Sequence, residues 1–323
     1  MRVAPISFGL LLLAASAPAS SAPTMQECTA IADDAERLGC YDAAAAASPA
    51  PVLLEDEPQM TALSDRWELE QATQRGRWAI TPYKPNYFLL ASYNTLFDDD
   101  IYVDLPPDET LDPVEAKFQI SFKVKLGEDI VKHNLDLWFA YTQLAFWQVY
   151  NTDLSAPFRE TNYEPEVFFL YRTDYRVLGM RARGMQLGFN HQSNGRTEPL
   201  SRSWNRLVAG ALFETDRTAT WLRLWYRIPE SEEKDDNPDI EEYIGRGDIV
   251  VAYTLSKHTV AATLRNNLQF SDNRGSIQLD YTFPLFRNIR GYAQYFNGYG
   301  ESLIQYNESS NTIGLGVLLT DWL

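Results

Sequence analysis

A histidine and a serine stand two residues apart in this chain, at His191 and Ser193, within a segment that alternates apolar and polar residues. In a β-strand, side chains at this spacing lie on one face, and an imidazole can then reach a hydroxyl. Such a pair could act as general base and nucleophile if a third group orients the imidazole. Asn205 begins the next alternating segment and could be that group. The spacing is therefore compatible with serine-hydrolase chemistry but does not by itself establish it.

The alternation also predicts the face on which these residues lie. His191 and Ser193 share the parity of three preceding apolar residues, Met185, Leu187 and Phe189. The segment from Asn205 onward continues the same face with residues 207, 209, 211 and 213, all apolar. If this face meets lipid, a neutral carboxamide could orient the imidazole without placing a charge where charge is costly. A simpler interpretation stays open, in which His191, Ser193 and Asn205 are only polar residues at the membrane interface. Polar residues are common where strands end at such an interface.

The elements that must position these residues are strands. From about residue 84 the chain has a period of two, which indicates strands with one apolar and one polar face. We predict twelve, near 86–96, 115–126, 132–148, 163–173, 182–193, 205–214, 219–228, 247–256, 258–269, 275–286, 289–298 and 311–323. Their length of about ten residues is typical of a transmembrane antiparallel β-barrel of the outer membrane. A soluble sandwich could show the same alternation, usually over shorter strands.

The connections between the predicted strands alternate in length. Those after even-numbered strands are mostly tight turns, and those after odd-numbered strands are mostly longer and polar, such as the acidic 229–246. Outer-membrane barrels have short periplasmic turns and long extracellular loops. The pattern therefore predicts a periplasmic N-terminus and an extracellular rim for His191, Ser193 and Asn205. The two other histidines, His133 and His258, are interpreted as turn or interface residues.

The first residues have the pattern of an export signal. Residues 1–22 combine a positive start, a short apolar run and small residues near 19–22, so we predict a signal peptide. In an exported chain, Cys28 and Cys40 predict a disulfide. Residues 23–63 are expected to form a periplasmic N-terminal segment, with the Ala-rich run at 43–47 and the Pro-containing 49–58 as a flexible linker. The barrel is expected over 64–323. The net charge of −16 argues against nucleic acid as a partner.

Three stretches resemble a known family. Residues 188–196 read GFNHQSNGR, residues 201–206 read SRSWNR and residues 158–165 read FRETNYEP. Together they resemble the outer-membrane phospholipase A family, with weaker support from 64–67 and 83–87. The resemblance runs from about residue 64 to the C-terminus and leaves residues 23–60 outside.

The resemblance implies a fold, a reaction and a cofactor. It implies a twelve-stranded barrel that hydrolyses the acyl esters of membrane phospholipids and lysophospholipids at either glycerol position, and that requires calcium and a homodimer. Carried over by motif, Ser193 resembles the nucleophile, His191 the base and Asn205 the orienting residue. The calcium ligands would be the carbonyl of Arg196 and the hydroxyl of Ser201. A partner subunit's hydroxyl would complete this site, and Ser155 fits that role by its position.

Gln143 is a polar residue on the predicted lipid face. An amide in lipid needs a hydrogen-bonding partner, so we expect Gln143 to contact the second subunit of a dimer. A residue at the membrane rim that extends toward water is the alternative.

Two rival functions remain open at this point. A passive barrel is one, since polar residues such as Lys117, Lys123, Arg223, Arg227 and Asp280 face inward; such charges could equally pair in a filled lumen. A structural anchor is the other, in which residues 23–60 bind a periplasmic partner. The His191, Ser193 and Asn205 set favours the enzyme.

Overall fold

The computed structural model describes residues 23–47, 61–98, 100–102, 110–131, 134–286 and 289–322. The chain divides into two compact units, one within Met1–Gln59 and the other within Met60–Leu323. The predicted signal peptide and the 49–58 stretch lie outside the described residues.

The first unit is a disulfide-linked pair of helices, α1 (Met25–Cys28) and α2 (Asp34–Ala47). Thr24 caps α1 by accepting a hydrogen bond from the Glu27 N–H. Cys28 and Cys40 are bonded, which confirms the predicted disulfide. The expectation of a flexible linker over 43–47 is wrong, because these alanines form the last turns of α2. Alanine has the highest helix propensity of any residue, so an alanine run next to an existing helix extends it.

The second unit is a β-barrel with short helices at its ends. It contains α3 (Ala62–Trp67), a 3₁₀ turn (Gln71–Thr73) and α4 (Ile240–Ile244). Its described strands are β1 (Ile80–Pro82), β2 (Asn86–Asn94), β3 (Val114–Gly127), β4 (Leu135–Trp147), β5 (Phe158–Val177), β6 (Met180–Ser193), β7 (Ser203–Glu214), β8 (Thr218–Arg227), β9 (Gly247–Leu255), β10 (His258–Asn266), β11 (Gly275–Phe286), β12 (Ile289–Tyr299) and β13 (Ser309–Thr320).

Strands β2 to β13 form a closed antiparallel ring. Each strand pairs with the next along the chain, and β13 closes the ring on β2 through pairs such as Ile313 with Tyr93. The short β1 pairs with β3 next to the start of β2. The predicted twelve-stranded barrel is therefore confirmed. The largest difference in bounds is at β5, which runs over Phe158–Val177 instead of 163–173.

Side chains alternate between the outside and the lumen as predicted. On β6, Leu187 is 62% exposed on the outer face, whereas the inward Gln186 and Asn190 are buried. Similar apolar outer rows run along β8 and β13. Among the described residues, no helix has the length and apolarity needed to cross a membrane.

The lumen is filled with paired charges. Lys117 binds Glu301 at 2.8 Å, Lys84 binds Glu164 at 2.6 Å, and Arg223 binds Asp248 at 2.5 Å. Buried charges of this kind are tolerated only when they are paired and hydrogen-bonded. A polar cavity of about 110 Å³ remains between them, lined in part by Lys84, Glu164 and Arg223. The inward polar rows therefore belong to a packed interior, which leaves the passive-barrel alternative without support from them.

Helix α3 packs inside the barrel at the end with the short turns. Lys123 donates to the carbonyls of Arg66 and Pro82 at 2.6 and 2.8 Å, and so joins the helix to the strands. The ring of Trp67 lies 5.7 Å from that of Tyr83 and 5.1 Å from that of Trp221. This aromatic group occupies the lumen where a channel would need an opening.

The two ends of the barrel differ as the sequence predicted. At one end the turns are short; Leu178 and Gly179 join β5 to β6, both with positive φ, which suits the right-handed twist of a tight hairpin. At the other end the loops are long, and α4 lies in the longest fully described one. An apolar cluster lies there, and it includes Trp204, Trp225, Ile240, Ile244, Leu303 and Tyr306. This cluster fixes the loop that follows β8.

We predict that Trp67→Ala destabilises the barrel strongly. Trp67 is 3% exposed, and removing a buried aromatic side chain costs about 3–5 kcal/mol through lost burial and the cavity left behind. Urea unfolding in lipid vesicles, followed by tryptophan fluorescence, measures the change. Trp78→Ala is the matched control, because Trp78 is 63% exposed and should matter little. Equal unfolding midpoints for the two variants would contradict the packing role of α3.

Candidate active site

Strands β6 and β7 bring the predicted site residues together at the long-loop end. His191 lies directly opposite Asn205 in the register of this pair, and Ser193 lies opposite Ser203. The loop 194–202 joins the two strands just beyond. On the other side of β6, Ser193 is paired with Tyr163 of β5. This register brings the three predicted side chains together on the outer face, because side chains alternate between the two faces of a strand.

The His191 imidazole is held by Asn205. Nδ1 of His191 and Oδ1 of Asn205 are 2.9 Å apart. Since a carboxamide oxygen can only accept, this contact requires the proton to be on Nδ1. Nε2 is then left as the basic nitrogen of the neutral ring. Such a tautomer is the one a general base needs.

Ser193 lies on the same strand face, two residues from His191, and is partly buried. Its hydroxyl makes no hydrogen bond to a side chain in the described part of the chain. Hydrogen bonds between a nucleophile and its base are often long before substrate binds. The two side chains therefore lie side by side on the outer face, with no hydrogen bond between them.

Inward-facing side chains of β6 and β7 are hydrogen-bonded to each other next to the site. The indole of Trp204 donates to Gln192 at 2.9 Å, and the guanidinium of Arg206 donates to Asn190 at 3.1 Å. Arg206 also stacks on the Trp204 ring at 4.0 Å. These contacts join β6 to β7 through side chains as well as backbone. They hold the register that sets His191 against Asn205.

Asn194 organises the loop between the strands. Its buried side chain donates to the Leu200 carbonyl at 2.8 Å and accepts from the backbone N–H groups of Arg202 and Arg196 at 3.0 and 3.3 Å. Gly195 follows with φ of +67°, and a Cβ there would meet the Tyr163 ring at 3.1 Å. A left-handed backbone against a ring favours glycine on both grounds.

The two predicted metal ligands on this chain both lie on or beside this loop. The Arg196 side chain is anchored, since its guanidinium donates to the Arg159 carbonyl and lies 3.6 Å from Glu160. Ser201 donates its hydroxyl to Oδ2 of Asp236 at 2.5 Å. No cluster of three or more His, Cys, Asp or Glu side chains suited to a metal occurs among the described residues.

Ser155, Gln143 and His258 lie on elements other than β6, β7 and the 194–202 loop. Ser155 is exposed on the β4–β5 loop with φ of +59°, at the same end of the barrel. Gln143 lies on the outer face of β4 and accepts from the Tyr141 hydroxyl at 3.1 Å. His258 contacts the Tyr281 hydroxyl at 2.9 Å at the opposite end, as an interface residue would. His133 lies outside the described residues.

Two acidic residues beside the site were not predicted. Glu230 accepts from Nδ2 of Asn205 at 2.8 Å, and Asp236 accepts from Ser201. Both belong to the acidic stretch 229–246, which the sequence marked only as a loop. One feature of the sequence could have indicated this contact. The acidic stretch directly follows β8, which pairs with β7, the strand that carries Asn205. The loop is anchored by Asp239, which accepts from the Tyr306 hydroxyl. Burial and this carboxylate raise the pKa of the Tyr306 hydroxyl.

The chain matches the family profile described as Phospholipase A1 over residues 63–319. It belongs to the phospholipase A1 family. Members of this family are ester hydrolases, so the predicted family and enzyme class are confirmed.

Relatives match over most of the chain. A related protein of Neisseria meningitidis is 34% identical, covering 96% of this chain and 95% of its own. That share exceeds what residues 63–323 could supply, so the N-terminal segment, which the resemblance had left outside, is shared with at least this relative.

Solved structures of phospholipases agree with the barrel. Outer membrane phospholipase A of Escherichia coli, solved as an asparagine-to-alanine active-site mutant, is 34% identical with a TM-score of 0.72, covering 79% of this chain and 96% of that one. The Salmonella typhi outer membrane phospholipase, solved as a dimer with bound calcium, is 34% identical with a TM-score of 0.73, covering 80% and 98%. The predicted outer-membrane location is supported by this fold and these relatives.

We predict that Asn194→Ala loosens the loop at residues 194–202 while the barrel stays intact. The change removes three hydrogen bonds at a buried position, and the freed backbone groups would then hydrogen-bond to water. Trypsin cleavage after Arg196 and Arg202, timed by mass spectrometry, should be several-fold faster than in the wild type. Thr197→Ala is the control, since Thr197 is exposed on the same loop and its side chain makes no hydrogen bond to described residues. Identical cleavage rates in both variants would contradict the role of Asn194.

Proposed function

We propose that the protein hydrolyses acyl ester bonds of membrane phospholipids and lysophospholipids, at both glycerol positions, with Ser193, His191 and Asn205 as its catalytic triad. The single observation that carries this proposal is the 2.9 Å contact between His191 and Asn205, beside Ser193 on the outer face of the barrel. The E. coli structure with an asparagine changed at its active site supports the role of Asn205.

In the acylation step, His191 Nε2 takes the proton from the Ser193 hydroxyl as Oγ attacks the ester carbonyl carbon. The tetrahedral intermediate then expels the glycerol oxygen, which receives that proton from His191. The acyl group is left on Ser193 and a lysophospholipid departs. Throughout this step, Asn205 accepts from Nδ1–H and stabilises the imidazolium that forms.

In the deacylation step, water replaces the glycerol oxygen. His191 removes a proton from water, the resulting hydroxide attacks the acyl carbonyl, and Ser193 leaves with the proton that His191 returns. A free fatty acid is released and the enzyme is restored. The outer row below the site, including Phe189 and Leu187, is exposed and can lie along acyl chains.

We propose that calcium is the cofactor, held by the Arg196 carbonyl and the Ser201 hydroxyl. The donors fit a hard cation, since both are oxygens and the Asp236 carboxylate adjoins Ser201. When bound, calcium would supply positive charge that stabilises the developing oxyanion. The chain's own part is to hold these oxygens in place through the Asn194 hydrogen bonds. The calcium-bound Salmonella structure supports calcium as the cofactor.

We further propose that the active form is a homodimer in which Ser155 of one subunit completes the calcium site of the other. Gln143 supports a dimer contact, because its amide N–H groups have no partner among the described residues. Separation of the subunits would break the shared site and keep the enzyme from digesting its own membrane.

Residues 23–63 and the short turns would lie in the periplasm, and the long loops outside the cell.

We predict that Ser193→Ala abolishes phospholipid hydrolysis while the barrel stays folded. His191→Ala should lose as much, because nucleophile and base act as one unit. Asn205→Ala should lose less, since Asn205 makes and breaks no bond. Fatty-acid release from phospholipid micelles measures activity, and the heat-dependent mobility shift of the barrel on gels measures folding. Full activity in folded Ser193→Ala would disprove the nucleophile assignment.

We predict that calcium both activates the enzyme and stabilises its dimer. A ligand that bridges two subunits adds its binding free energy to their association. Light scattering in detergent should show dimers with calcium and mostly monomers with a chelator. Ser155→Ala should need more calcium for half-maximal activity but approach the wild-type rate when calcium saturates.

Mixing two variants tests whether the calcium site is shared. In a heterodimer of Ser193→Ala and Ser155→Ala subunits, the intact nucleophile belongs to the Ser155→Ala subunit, and the intact Ser155 comes from its partner. That one site should respond to calcium at close to wild-type concentrations. Activity no better than that of the Ser155→Ala homodimer would contradict a shared site.

A further inference from the structure

The loop after β8 brings a carboxylate against the far side of Asn205. The backbone N–H of Ile228 donates to the Asn205 carbonyl at 2.8 Å, so the chain stays beside β7 after β8 ends. Two residues later, Oε1 of Glu230 accepts from Nδ2 of Asn205 at 2.8 Å. Glu230 is partly buried. The Asn205 side chain is therefore held from both sides, by His191 and by Glu230.

A carboxamide that orients a histidine has a weakness that a carboxylate lacks. Its two ends are nearly the same in shape, but one accepts hydrogen bonds and the other donates. If Asn205 turned over, its NH₂ group would meet Nδ1 of His191 and favour the tautomer that carries its proton on Nε2. That tautomer cannot take a proton from Ser193. The triad therefore needs something that keeps the amide from turning.

We propose that Glu230 is a positioning residue that fixes the orientation of the Asn205 amide and thereby the tautomer of His191. This inference rests on the proposed function of His191, Ser193 and Asn205. An ionised carboxylate only accepts, so it binds the NH₂ end of Asn205 and repels the oxygen end. With Glu230 in place, one amide orientation satisfies both neighbours, whereas the other turns the amide oxygen against the carboxylate and requires His191 to change its tautomer.

Polarisation of the amide also strengthens the contact between Asn205 and His191. A carboxylate that accepts from Nδ2–H pushes electron density toward Oδ1, and hydrogen bonds in a chain strengthen one another. Oδ1 then accepts more strongly from the imidazolium that forms as Ser193 is deprotonated. The negative charge itself stays two hydrogen bonds away from the lipid-facing imidazole, at the edge of the loop.

Three single variants test the acceptor role. Glu230→Ala should lower kcat about tenfold, equivalent to about 1.4 kcal/mol, with little change in KM. Glu230→Gln should recover to within about threefold of the wild type, since a glutamine carbonyl can still accept from Asn205. Glu232→Gln is the control for loss of one negative charge, because Glu232 is exposed on the same loop and pairs with no described residue. All assays are made at saturating calcium, with gel mobility as the measure of folding.

A double-mutant cycle separates positioning from loop anchoring. If Glu230 acts through Asn205, adding Glu230→Ala to Asn205→Ala should cost nothing further. A tenfold loss in both backgrounds would show that Glu230 acts elsewhere, and wild-type kcat in folded Glu230→Ala would show that it does not act at all. Either result overturns the inference, as would a Glu230→Gln variant no better than Glu230→Ala.

An exchange of the two side-chain types gives a second test. Asn205→Asp alone places two carboxylates together and should lose activity. Asn205→Asp combined with Glu230→Gln restores one donor and one acceptor in the reverse order, so the double variant should exceed Asn205→Asp alone. A double variant no more active than Asn205→Asp would count against direct contact.

Ser193→Ala, assayed in parallel, keeps the two hypotheses apart. If it retains activity, the proposed triad fails and the inference fails with it. If it is inactive while the Glu230 variants behave like the wild type, only the inference fails.

Discussion

In the β6–β7 pair, His191 lies directly opposite Asn205, and the geometry of the site follows from this register. A slip of one residue would turn every side chain of β6 to the other face of the barrel, taking His191 and Ser193 into the lumen. Side chains on the inner face oppose such a slip: Trp204 is bonded to Gln192, and Arg206 to Asn190. The charged lumen therefore supports the site on the outer face.

The closed barrel makes an outward-facing site possible. A sheet within a membrane must pair every backbone N–H and C=O internally, and twelve strands closed on themselves do so. Paired charges and the α3 region fill the interior, so the polar residues there belong to a packed lumen. We propose that the lipid around the outer face is the substrate, because a phospholipid there can reach Ser193 without leaving the membrane.

Much of this arrangement could be predicted from the sequence, because alternation is a local property. It predicted the twelve strands, the outer face of β6 and the grouping of His191, Ser193 and Asn205. The full length of β5 was missed at both ends, over 158–162 and 174–177. Charged residues such as Arg159 and Asp174 interrupt the apolar pattern there, and they are paired with Glu115 and Arg181. Glu230 was missed for a different reason. Its contact with Asn205 depends on how a loop folds back over a neighbouring strand, and no periodicity encodes that.

The most direct measurement identifies the residue that reacts as the nucleophile. A long-chain alkyl fluorophosphonate forms a stable adduct with a serine hydroxyl that a neighbouring base has activated. The purified protein would be labelled in detergent with calcium, and the adduct located by tandem mass spectrometry. We expect one adduct, on Ser193, formed in step with the loss of hydrolysis and absent from His191→Ala. An adduct on another residue that accompanies the loss of activity, or a labelled Ser193 with hydrolysis unchanged, would contradict this expectation.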